Sequence, residues 1–132
     1  MNPTLHHIAI AVHDLDAALA FYRDGLGLEV TERRQVDQEG VEIAFLPAGE
    51  GEIELLRPLD DNSGVARFLE KRGEGLHHIC LAVEDIEAAM ERLRAAGARM
   101  LSKEPRVNVE GTRYVFVHPR SAHGVLLELY EA

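Results

Sequence analysis

The chain has 132 residues, room for one domain of ordinary size and too few for two comfortable ones. Apolar residues make up 46% and charged residues 28%, the balance of a globular protein that buries a core, which excludes an intrinsically disordered chain. Lys and Arg number 14 against 23 Asp and Glu, a formal net charge of −9 that argues against nucleic acid or an anionic membrane surface as main partner.

In chain order, the first predicted element is a strand ending near Val12, followed by a helix that Asp14 caps. Leu15, Ala18, Leu19 and Tyr22 take helical spacing, and Gly25 or Gly27 stops the helix. Three strands follow, over 28–34, 41–47 and 52–57. The stretch 58–74 is turn-rich at its start, then spaces Val65, Phe68 and Leu69 for a short amphipathic helix, a linker. A strand from 75, a helix capped by Asp85 with Ile86, Ala89, Met90 and Leu93 on one face, a stop at Gly97, and strands over 99–103, 113–118 and 125–130 complete the chain. The Gly73-x-Gly75 pair reads as a turn.

The two halves are copies. His7-Ile8-Ala9-Ile10-Ala11-Val12-His13-Asp14-Leu15-Asp16-Ala17-Ala18 returns as His78-Ile79-Cys80-Leu81-Ala82-Val83-Glu84-Asp85-Ile86-Glu87-Ala88-Ala89, with seven of twelve positions identical. The expected fold class is α+β: two tandem βαβββ modules forming a curved mixed-sheet cleft, in a single domain over 1–132 with module one at 5–57, the linker helix at 58–74 and module two at 75–131. Cys80 stands alone, so no internal disulfide forms, and no Cys-x-x-Cys pair suggests redox or zinc work. No basic, apolar leader opens the chain and no run of about eighteen apolar residues occurs, so a cytoplasmic protein without a membrane partner is expected.

Strand alternation assigns each side chain a face. Ile8, Ile10 and Val12 share one face with the large aliphatics expected to meet the helices; His7, Ala9 and Ala11 share the other. Module two repeats this with Ile79, Leu81 and Val83 against His78, Cys80 and Ala82. Glu54 and Glu128 are opposite in parity to their aliphatic neighbours in the last strand of each module. The small residues beside each histidine suggest space left in front of the sheet. Two imidazoles and two carboxylates in equivalent places suit a divalent cation such as Zn, Fe, Co, Ni or Mn, whose identity this donor set leaves open. His6 and His77 have the opposite parity and are expected on the helix side as structural residues; His13, His118 and His123 read as turn or strand-end residues.

Several blocks carry a resemblance: 7–12, Ala44-Phe45-Leu46-Pro47, 53–58, 73–79, Pro105-Arg106, His118-Pro119 and Gly124-Val125-Leu126-Leu127-Glu128-Leu129. Together they resemble the vicinal oxygen chelate (glyoxalase/bleomycin resistance/dioxygenase) superfamily, most nearly its methylmalonyl-CoA epimerase family. The resemblance implies that His7, Glu54, His78 and Glu128 ligate the metal. It also implies a homodimer whose small-molecule substrate is an acyl-CoA, epimerised through a metal-chelated enolate by carboxylate acid/base residues. Glu128 is one candidate acid/base. The other is Glu39, with Asp37 and Glu42 as alternatives, because this chain reads Gln38-Glu39-Gly40 where the family often shows Glu-Gln-Gly. A second departure is Asn108-Val109-Glu110-Gly111 in place of a glycine-rich loop. Arg57, Arg106, Arg113 and Arg120 are the candidate partners for coenzyme A phosphates. The competing readings are a glyoxalase I-type isomerase (lactoylglutathione lyase), an extradiol dioxygenase, and a non-catalytic binder of antibiotics or other small molecules.

Overall fold

The computed structural model describes residues 2–132. Along the chain run β1 (Thr4–Ala11), α1 (Leu15–Leu19) continuing into a π-helical turn (Ala20–Gly25), β2 (Glu32–Val36), β3 (Val41–Ala48), β4 (Gly51–Pro58), α2 (Gly64–Arg72), β5 (Gly75–Val83), α3 (Ile86–Ala95), β6 (Arg106–Val107), β7 (Arg113–Val117) and β8 (Leu127–Glu131). The chain divides into two compact units, one spanning His7–His77 and the other the residues up to His6 with His78–Ala132.

In the His7–His77 unit the strand order is β2-β3-β4-β1, with β1 and β4 parallel and the other neighbours antiparallel. Asp14 caps α1 by accepting from the Ala17 N–H at 3.2 Å. Leu15 and Leu19 then bury against Val12, Ala44, Leu46 and Leu55, with Ile10 and Ile53 packed alongside. Fully burying a leucine is worth roughly 1.5–3 kcal/mol, so this face alone anchors α1 to the sheet. The opposite face meets α2: Val65 and Leu69 pack with Ala9, Ala11, Ile43 and Leu56. Ala9 and Ala11 are thus covered by the linker helix, not left facing open space as their small size had suggested. Their smallness admits α2, while His7 and Glu54 share the same face by register.

The second unit has the order β5-β8-β7-β6, again with one parallel pair, β5 with β8. Asp85 caps α3 through the Ala88 N–H at 3.1 Å. At its other end, Gly97 at φ +88° lets the Ala98 N–H reach the Leu93 carbonyl and its own N–H reach Arg94, closing the helix. Ile86, Ala89 and Met90 bury against Val83, Val115 and Leu129, as the sequence spacing predicts.

Three predicted elements differ. The strand expected over 28–34 begins only at Glu32, because Leu28 and Val30 pack into the α1 core before the ladder starts at Glu32 opposite Phe45. The strand expected over 99–103 shrinks to a single bridge between Met100 and Val117. The Ser102 hydroxyl donates to the Glu104 carbonyl and turns the chain, and Pro105 has no N–H to give a ladder, so pairing resumes only at β6. The linker helix occupies Gly64–Arg72 of the 58–74 stretch, entered through a Ser63 cap on the Ala66 N–H.

Candidate functional site

Among the described residues the buried polar or charged ones are His7, Glu54, His78 and Glu128, at 1%, 7%, 7% and 5% exposure. Removing such groups from water is costly unless each finds a partner. In the His7–His77 unit, His7 Nδ1 lies 3.3 Å from Glu54 Oε2. In the other unit, His78 Nε2 lies 3.1 Å from Glu128 Oε1. The register is the same in both: Glu54 stands opposite Ala9 and Glu128 opposite Cys80, each two residues along from its histidine. Each unit therefore buries one imidazole nitrogen and one carboxylate beside each other, an N/O donor pair able to hold a borderline divalent cation.

A phenylalanine accompanies each carboxylate. Phe45 is the register partner of Glu54, and Phe116 that of Glu128. Phe116 meets the His78 ring edge to face, with centroids 5.5 Å apart and planes at 89°, and Tyr114 abuts Phe116 at 6.0 Å and 82°. Over the Phe45 ring lies the Arg34 guanidinium, 5.0 Å from the centroid. Neither phenylalanine is among the site candidates that strand parity singles out. The signal was present, since Phe45 follows His7 and Phe116 follows His78 at the same spacing of 38 residues.

Glu39 sits exposed in the turn between β2 and β3, beyond the end of the ladder where Val41 pairs with Pro58. Asp37 shares that turn and accepts from the Gln35 amide at 2.8 Å. Glu42 differs in kind. It lies on the α1 face, opposite in parity to Phe45, and is held by Arg33 at 3.3 Å and Arg57 at 3.0 Å. Burial alone would push the Glu42 carboxyl up, but hydrogen bonds from Arg33 and Arg57 outweigh it and hold the group below its ordinary value of 4.5. Glu42 is thus engaged in ion pairs on the face opposite to Glu54.

Arg57 and Arg113 are likewise engaged, Arg113 by Glu87 and Glu131 at 3.3 Å each. Arg106 and Arg120 are exposed. His77 packs on Phe68 of α2 at 5.0 Å, on a helix as expected. His6 does not; it is exposed, and its ring lies 4.9 Å from Tyr130. Of the remaining histidines, His118 Nδ1 accepts from the Arg120 N–H at 3.0 Å, His13 is exposed, and His123 turns the chain at φ +59°.

The family model of the glyoxalase/bleomycin resistance protein/dioxygenase superfamily matches residues 6–116. The chain belongs to this superfamily. Members of the superfamily generally use a divalent metal. The chain is 48% identical to the ethylmalonyl-CoA/methylmalonyl-CoA epimerase of Cereibacter sphaeroides, over 95% of each chain. It is 42% identical to the human mitochondrial methylmalonyl-CoA epimerase, covering 97% of this chain and 73% of that protein. A variant of Streptomyces coelicolor methylmalonyl-CoA epimerase, solved in complex with 2-nitronate-propionyl-CoA, is 38% identical and superposes with a TM-score of 0.87 over 99% of both chains. These superfamily relatives are isomerases, and they do not favour the lactoylglutathione lyase, dioxygenase or drug-binder readings. Among the described residues no helix is long and apolar enough to cross a membrane.

Proposed function

We propose that the chain epimerises methylmalonyl-CoA, with His7, Glu54, His78 and Glu128 holding one divalent cation and with Glu128 and Glu39 carrying the proton. The observation behind this reading is that, among the described residues, the buried polar ones are two repeat-related His–Glu pairs, in a sequence 48% identical to an epimerase. A cation held there supplies Lewis-acid polarisation of the substrate's carboxylate and thioester oxygens.

The chain's own residues then move the proton. A Glu128 carboxylate oxygen takes the hydrogen from the carbon between the two carbonyls, on one face of the substrate. Phe116, across the strand from Glu128, gives this carboxylate an apolar neighbour. On the other face Glu39 delivers a proton, and because Glu39 is exposed it exchanges with water. Gln38 beside it has no proton-carrying group. Arg106 and Arg120, lying outside the ion pairs that engage Arg57 and Arg113, are the cationic side chains offered to the coenzyme A phosphates. The protein is read as a homodimer, which sedimentation checks.

Proton NMR of methylmalonyl-CoA in deuterated water with the cation-loaded protein tests the reading. The signal of the hydrogen between the two carbonyls is expected to disappear as deuterium enters. A signal that persists over hours would end the proposal.

A further inference from the structure

The internal repeat extends beyond the four-residue set by one residue in each copy. Each buried glutamate has a phenylalanine directly across the strand, Phe45 for Glu54 and Phe116 for Glu128. The two rings are used differently. Arg34 lies over Phe45 at 5.0 Å, whereas Phe116 puts a T-shaped contact on the His78 imidazole at 5.5 Å. An imidazole that must share its edge with a carboxylate has one soft torsion left, rotation of the ring about χ2. A perpendicular aromatic ring opposes that rotation, because its positive edge and negative face fit the neighbour in one orientation. Phe116 is itself held by Tyr114 at 6.0 Å and by its place in β7.

We infer that Phe116 is a positioning residue that fixes the plane of the His78 ring, keeping Nε2 aimed at the Glu128 side of the strand pair. Its consequence for cation affinity rests on the proposed function; the fixing of the ring does not.

The experiment has two arms. In the metal-free full chain, the ring C–H signals of His78 are followed by carbon–proton NMR, assigned with His78→Gln. Phe116→Leu is expected to move them as the aromatic ring current is lost, and Phe116→Tyr to leave them near their original positions. Phe116→Met serves as a second apolar, non-aromatic variant should Phe116→Leu fail to fold, which thermal unfolding shows. Unmoved His78 signals in the non-aromatic variants would overturn the inference.

In the second arm Co²⁺ is titrated and its visible absorption read. Outer-shell groups that hydrogen-bond a ligating histidine typically change metal affinity by about 10- to 100-fold; for the packing contact of Phe116 the low end is taken, so Phe116→Leu is expected to bind about tenfold more weakly and Phe116→Tyr like the wild type. Equal Co²⁺ affinity in the leucine variant, despite moved NMR signals, would reduce Phe116 to packing and also overturn the inference. A wild-type chain that binds no Co²⁺ would instead sink the proposed function, and the ring signals alone would then decide Phe116.

Discussion

Glu42 in β3 and Arg57 in β4 are register partners, joined by an ion pair of 3.0 Å on the face turned away from His7 and Glu54. The second unit repeats the pair with its charges reversed. Arg113 stands three residues before Phe116 as Glu42 does before Phe45, and Glu131 stands three after Glu128 as Arg57 does after Glu54, at 3.3 Å. The helices are tied in as well, Asp16 of α1 to Arg33 at 2.8 Å and Glu87 of α3 to Arg113 at 3.3 Å. These pairs clasp the ends of the strands that carry the buried glutamates.

The clasp gives an acid-side signature. The folded state holds the Glu42 carboxyl below 4.5, so its extra stabilisation is fully present above that pH and is lost as the pH falls through the folded-state value. The pair is partly exposed, so Glu42→Gln is expected to cost only about 0.5–1 kcal/mol at pH 7. The gap between the two proteins should close in urea unfolding below pH 4.5. A gap that widens toward acid would show that Arg33 and Arg57 do not control this group.

Cation binding should stabilise the fold, because only the folded chain brings each histidine beside its glutamate. With the free cation at 100 times its dissociation constant, the gain is about 2.7 kcal/mol. Calorimetric melting is expected to show a raised Tm that EDTA reverses. An unchanged Tm at saturating Co²⁺ would count against a native site.

For the second proton carrier, Glu39→Gln is expected to slow solvent deuterium entry into methylmalonyl-CoA by roughly 100-fold or more, the usual range for a lost general acid. Co²⁺ affinity should stay as in the wild type. Moving the acid one place, in the Gln38→Glu and Glu39→Gln double variant, asks whether turn position or residue identity matters. Wild-type exchange in Glu39→Gln would pass the role to another group.

Much of this was legible in the sequence because its signals are local. Helical spacing selected Leu15, Leu19, Ile86 and Met90, which are buried, and the aspartates at 14 and 85 cap as expected. Strand parity picked out His7, Glu54, His78 and Glu128, which are the buried polar residues among those described. What escaped depends on tertiary pairing. Parity could not say that Ala9 and Ala11 would be covered by α2, nor that His6 would lie against Tyr130. Phe45 and Phe116 looked like ordinary strand aromatics until the register put each opposite a glutamate. The irregular stretch around Ser102 was hidden because a single hydroxyl-to-carbonyl bond, not composition, turns the chain there.

The proposed function requires one cation to be held by His7 and Glu54 together with His78 and Glu128. Isothermal titration of the metal-free chain with Co²⁺ tests it most directly, run on the wild type, on His7→Ala from one unit and on His78→Ala from the other. We predict one cation per chain in the wild type and a loss of affinity of at least about tenfold in both variants. Two cations per chain, or a full-affinity site surviving in either variant, would contradict it.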